Sequence, residues 1–178
     1  MSGHNKWAQI KHKKAITDSK KSKIFSKLAR YISVEAKLSN GKDSPGLRAA
    51  IEKARKVNMT NDVIERAIKK GGEPSVHMDS ITYEAYGPGG VGIIIETLTD
   101  SRNRATQEIK HILSKNGFAL AGIGSVTWSF SKELTPEGLI WKPNVFIPLS
   151  DENLSLLDKL IDELEELDDV QDVYTNAE

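Results

Sequence analysis

"ITYEAYGPGGVGIIIETL", residues 81–98, decides the fold. Its two runs, 81–87 and 91–98, are dense in β-branched and aromatic residues, and "PGG" at 88–90 separates them as a turn. They predict paired antiparallel strands. The glycines join strand to strand and open no helix, so the segment lacks the helix N-terminus that a phosphate cradle uses. A plain hairpin turn is the reading.

Upstream the period is helical. Asp18 or Ser19 caps a predicted helix that runs to about Ser39 and stops at "NG", 40–41, with Ile24, Phe25, Leu28, Ile32 and Leu38 as its apolar positions. Ser44 and Pro45 start a second helix, buried through Leu47, Ala50, Ile51, Ala54 and Val57. Thr60 or Asn61 caps a third, which carries Val63, Ile64, Ala67 and Ile68 inward and ends at Gly71 and Gly72. Three amphipathic helices with short joints make a bundle.

Downstream, Asp100 or Ser101 caps a helix to about Asn116. "SVTWSF" at 125–130 reads as a strand. "LIWKPNVFIPL" at 139–149 reads as extended, at an edge or in two pieces because of Pro143 and Pro148. Ser150 caps a long acidic helix, and "VQDVYT" at 170–175 closes the chain as a strand. The predicted class is α+β: a three-helix bundle, then an α+β sandwich with a mostly antiparallel sheet and helices on one face. The expected domains are residues 1–76 and 77–178, divided at the linker-like "GGEPSVHMDS".

The formal net charge of 0 over 178 residues conceals a split. Residues 1–72 carry 18 Lys and Arg against 6 acids, and residues 73–178 carry 7 against 19. Either one part faces a polyanion or the two halves neutralise each other by docking. The surplus concentrates in "GHNKWAQIKHKKAITDSKKSKIFSKLAR", residues 3–30, with eight Lys and one Arg against Asp18. At about 100° per residue, Lys20, Lys23, Lys27 and Arg30 fall in one stripe away from Phe25, Leu28 and Ile32. Such a stripe suits a phosphate backbone, where each contact releases counterions. Lys6, Lys11, Lys13 and Lys14 flank Trp7 and His12. An aromatic among lysines stacks on an unpaired base, or Trp7 anchors the arm on the bundle. Arg102 and Arg104 stand in the first turn of the 102–115 helix, where the dipole disfavours cations. An anionic partner or an internal salt bridge explains them equally. These twelve residues are the candidate nucleic-acid contacts.

Nothing points to an enzyme. There is no cysteine, His4, His12, His77 and His111 lack zinc spacing, and no nucleotide or nucleophile motif occurs. No cofactor, metal or small-molecule substrate is expected. The longest apolar runs are too short for a bilayer, and with no apolar signal core and a first arginine at Arg30 the expected location is the cytoplasm.

"GHNKWAQIKHKK", "KIFSKLAR", "IERAIKKG", "YEAYGPGGVGIIIETLTDSRNR" and "LDDVQDVYTNAE" together resemble the YebC family, in order and over nearly the whole chain. That family includes the translational activator of mitochondrial cytochrome oxidase and bacterial proteins labelled probable transcriptional regulators. The resemblance implies a helical first domain followed by α+β domains. It implies either DNA-binding transcriptional regulation or ribosome-associated help in translating difficult stretches such as proline runs. The motif begins at Gly3, so no presequence is expected. Family members usually carry a further α+β domain after the strand matching "SVTWSF"; here "SKELTPEG" bridges almost directly to "LIWKPNVFIPLS". The favoured partner is ribosomal RNA, because the lysine-dominated segment lacks an obvious base-reading helix; double-stranded DNA is the alternative.

Overall fold

The computed structural model describes residues 18–72, 77–135 and 138–178. Its helices are α1 (Asp18–Leu38), α2 (Pro45–Lys56), α3 (Asn61–Gly71), α4 (Arg102–Lys115) and α5 (Asp151–Glu165). Its strands are β1 (Asp79–Tyr86), β2 (Gly92–Thr99), β3 (Phe130–Thr135), β4 (Gly138–Pro143) and β5 (Val170–Thr175).

The bundle closes as its punctuation predicts. Asn40 and Gly41 take positive φ after α1, and the Gly41 N–H returns to the Ala36 carbonyl at 2.7 Å, a left-handed helix stop. The Ser44 hydroxyl accepts from the Leu47 N–H at 3.1 Å, with Pro45 at the first helical position. Ile32, Ala36, Leu47, Ala50, Ala54, Met59, Ile64 and Ala67 form the buried core. Gly71 lets α3 close on α1: a Cβ there would stand 2.2 Å from the Ser33 carbonyl oxygen. Leu38, expected inside, is 74% exposed, because it ends α1 beyond the reach of α2 and α3.

The second half is built on a three-stranded antiparallel sheet in the order β1-β2-β5. Tyr86 pairs with Gly92 around the 88–90 turn, where Gly89 and Gly90 hold positive φ. The central β2 is buried at every position except Glu96. One face carries Ala85, Ile93, Ile95 and Val173 under α4 and α5, which contribute Ile109, Leu113, Leu157, Ile161 and Leu164. The helices therefore lie on one side, as the α+β reading requires.

The opposite face departs from expectation. Residues 125–129 are not a strand: Thr127–Ser129 is a 3-10 turn, and the strand starts at Phe130. The polar segment read as a bridge instead gives residues 131–135 and 138 to a second, two-stranded sheet, β3–β4, with Lys132 opposite Trp141 and Leu134 opposite Leu139. In β3 only Phe130 is buried and residues 131–134 are exposed, so no alternation of buried and exposed positions marks the strand. Phe130 packs with Ile94 and Val126, and Trp141 and Tyr174 lie against them. After Pro143 the chain leaves the hairpin, and Ile147 makes one parallel bridge to Ala177.

Candidate nucleic-acid interface and the interdomain cleft

Of the basic stripe of α1, Lys23, Lys27 and Arg30 turn toward the other half. Lys23 Nζ lies 3.4 Å from the Glu166 carboxylate and donates to the Glu166 carbonyl. Lys27 Nζ donates to the Glu165 carbonyl. Arg30 Nη1 donates to the carbonyls of Leu98 at 3.1 Å and Asp168 at 2.9 Å, and meets the Asp169 carboxylate at 2.6 Å. The reason is electrostatic. The last carbonyls of α5 have no partners within the helix and form the negative end of its dipole. Cations from α1 satisfy them. The expectation that this stripe is a solvent-facing polar surface is therefore corrected for Lys23, Lys27 and Arg30, which join the two halves. Burial lowers the Lys27 pKa, opposed by the nearby Glu165 and Asp172. Lys20 lies in α1, with its side chain outside the described residues, as are Lys6, Trp7, Lys11, His12, Lys13 and Lys14.

The arginines of α4 are also accounted for within the chain. Arg104 reaches Asp100 at 2.7 Å and Asp169 at 2.9 Å. Its hydrogen bonds to Asp100 and Asp169 raise its pKa, and Asp100 is correspondingly lowered. Arg102 stands 3.6 Å from Asp79. Of the two explanations offered for cations at this helix start, the internal salt bridge is the one observed. Asp169, 2% exposed, is the centre of the junction, since it also accepts from the Thr99 hydroxyl at 2.8 Å. Sequence reasoning missed it. The signal was present: "LDD" places two acids just past a helix C-terminus, where the dipole disfavours them unless cations come close.

Exposed cations of the bundle include Arg55 at the end of α2 and Arg66, Lys69 and Lys70 on α3. Between bundle and sheet lies a cleft of about 740 Å³. Its walls come from α1, α2, the back of the sheet, the β3–β4 hairpin and the end of α5. Tyr31, Trp141 and Tyr174 line it, with lysines and carboxylates interspersed. Lys53 Nζ sits 5.6 Å from the Tyr31 ring centre and Lys132 Nζ 4.5 Å from that of Trp141. Burial pushes up the Tyr174 and Tyr31 hydroxyls, helped by Asp172 and, respectively, Glu96 and Glu35. Among the described residues no group of three His, Cys, Asp or Glu side chains is placed to hold a metal ion. Nor is any helix long and apolar enough to cross a membrane.

The sequence model of the TACO1/YebC N-terminal domain matches residues 5–73, and that of the TACO1/YebC second and third domain matches 78–135 and 131–177. The chain belongs to the TACO1/YebC family. A TACO1/YebC relative from Hahella chejuensis, named a probable transcriptional regulatory protein, is 39% identical over 239 positions, covering 100% of this chain and 96% of its own length. That alignment is longer than the chain, so the relative has residues this one lacks. A Fervidobacterium nodosum protein of the same name is 56% identical over 137 residues, 75% of this chain but 54% of its own length, so this match takes in about half of that relative. The crystal structure of a conserved hypothetical protein from Aquifex aeolicus superposes with a TM-score of 0.85 at 34% identity, over 97% of this chain and 96% of that one. The likeness extends the α+β assignment to both halves. The two matches to the second-and-third-domain model meet on β3, where the hairpin stands.

Proposed function

We propose that this TACO1/YebC chain is a non-enzymatic, nucleic-acid-binding regulatory factor that acts on ribosomal RNA and assists synthesis of difficult stretches such as proline runs. The observation that carries the reading is the charge balance after docking. Residues 1–72 hold 18 cations, of which Lys23, Lys27 and Arg30 reach the other half. The exposed cations of the bundle, including Arg55, Lys69 and Lys70, are available to a phosphate backbone. The names of the Hahella and Fervidobacterium relatives fit a regulator that binds nucleic acid.

RNA is favoured over DNA by the chemistry of α3. A short turn, residues 57–60, joins α2 to α3, so α3 would be the reading helix of a DNA-binding pair. Its first exposed side chains are Asn61, Asp62 and Glu65. Two carboxylates there repel the phosphates of a major groove. Lysines on separate helix ends suit recognition of an RNA by shape and backbone. The division into domains 1–76 and 77–178 and the loss of an inserted family domain at the β3–β4 hairpin belong to the same proposal. Sedimentation of cell lysate through sucrose tests it: co-migration with ribosomal particles that high salt abolishes is the expected result. Protein found only with nucleoid DNA favours the transcriptional alternative.

A further inference from the structure

We propose that the interdomain cleft takes one unpaired guanine of an RNA strand, stacked on Trp141 and read by Gln171 and Asp172. The inference rests on the nucleic-acid reading above and places a base-specific contact in a part of the molecule that reading leaves unused.

Trp141 is a prepared platform. Its indole N–H donates to Glu96, which also accepts from the Thr82 hydroxyl at 3.0 Å, so the ring orientation is fixed. The ring lines the cleft and carries the Lys132 ammonium over it. A π-face covered by a lysine amine is a face that a base takes while the ammonium moves to the base's phosphate. Lys53, lying over Tyr31 on the opposite wall, offers a second cation.

Gln171 and Asp172 are consecutive on β5 at a register shift, where Glu96 pairs with Asp172 and Thr97 with Val170, and both line the cleft. The Gln171 side-chain Nε2 is buried and has no hydrogen-bond partner among the described residues. A buried amide donor without a partner calls for an acceptor. Asp172 lines the same cleft, with the Lys27 ammonium close enough to feel its charge. One donor beside a two-oxygen acceptor matches the guanine edge: O6 accepts from the amide, and N1–H and N2–H donate to the carboxylate. Adenine and cytosine place a donor where the amide needs an acceptor. Uracil supplies a single N–H to the carboxylate. Glu96, engaged by Trp141 and Thr82, does not compete for this role.

Isothermal titration of the full chain with GMP, AMP, CMP and UMP, and with a seven-nucleotide single strand holding one G among U residues, tests the site. GMP should bind more tightly than the other three by about tenfold or more, the discrimination expected of a bidentate pair. The oligonucleotide should bind more tightly than GMP if the source is a strand; GMP binding without oligonucleotide binding would overturn that half of the proposal. Asp172→Asn should abolish the preference for GMP, Trp141→Leu should abolish binding, and Trp141→Phe should restore part of it. Circular dichroism checks that each variant folds. No saturable nucleotide binding, or GMP binding unchanged in Asp172→Asn and Trp141→Leu, overturns the cleft assignment. Binding of total ribosomal RNA is measured on the same variants. If it persists while GMP fails to bind the parent chain, the cleft is wrong and the factor still binds RNA. If both fail, the functional reading falls with it.

Discussion

The Arg30 guanidinium of the bundle lies 2.6 Å from the Asp169 carboxylate of the α+β half, and Arg104 reaches the same carboxylate from α4 at 2.9 Å. One buried acid thus holds two arginines from separate halves of the chain. Removing it leaves Arg104 to Asp100 and Arg30 to the Leu98 and Asp168 carbonyls, without the carboxylate they share. Asp169→Ala should cost about 3 kcal/mol, the low end for breaking a buried pair, because the Arg30 and Arg104 side chains keep 29% and 45% of their exposure. Urea unfolding measures it. A change of about 0.5 kcal/mol or less would mean that water replaces the carboxylate without loss.

Lys23, Lys27 and Arg30 reversed to Glu together should open the junction. Three carboxylates would then face the unpaired carbonyls at the end of α5 and Asp169, like charge against like. The expected outcome is an increased radius of gyration in small-angle scattering and faster proteolysis near residues 73–77, with each half keeping its helix content. A variant as compact as the parent would show that the apolar contacts between the halves suffice. Loss of RNA binding in this variant does not by itself identify phosphate contacts, since the domains have also moved. Neutralising Lys69 and Lys70, both exposed on α3, is the cleaner probe. If each meets one phosphate, the slope of log K against log salt should flatten by about 1.4 to 1.8, from the single- and double-strand coefficients.

The architecture was legible wherever local chemistry and burial agree. Ser44–Pro45 starts α2, Asn40–Gly41 stops α1, and the 88–90 turn sets the β1–β2 register; each depends on neighbours in sequence. The β3 strand was hidden because only Phe130 is buried while residues 131–134 are exposed, so no period-two burial pattern marks it. The basic stripe of α1 was found from its spacing, but spacing gives a direction around the helix axis and not what stands opposite. The receptor, Asp169 and the carbonyl end of α5, lies about 140 residues away, and nothing in the period of α1 encodes it.

Gly71→Ala should destabilise the bundle although it replaces glycine within a helix. In an open helix that change gains about 1 kcal/mol. Here the new Cβ would stand 2.2 Å from the Ser33 carbonyl oxygen and 3.0 Å from the Ala36 Cβ. Both belong to α1, and the carbonyl is backbone that cannot rotate aside. Overpacking of this kind costs about 1–3 kcal/mol. The sign of the change in thermal midpoint decides between the two terms. A higher midpoint would mean that α3 tilts away from α1 without loss.

Glu84 should govern the acid stability of the α+β half. It is 5% exposed, and its carboxylate accepts from the backbone N–H groups of Gly124 and Val126, each at 2.7 Å, and Thr127 at 2.9 Å. Burial works to raise its pKa, but the three N–H donors and the Thr127 hydroxyl outweigh burial and leave it lowered. A carboxyl with a lowered folded pKa binds fewer protons folded than unfolded. Its contribution is therefore complete above the unfolded value, about 4.3, and is lost as pH falls through the folded one. Glu84→Gln keeps the shape but turns an NH₂ group toward N–H donors, which should cost about 2 kcal/mol at neutral pH. Unfolding free energies of parent and variant, measured from about pH 7 down to pH 3, should converge at the acid end, because protonation does to the parent what the substitution did to the variant. A gap that stays constant with pH would show that the cost comes from packing of the 121–128 loop and not from the charge that anchors it.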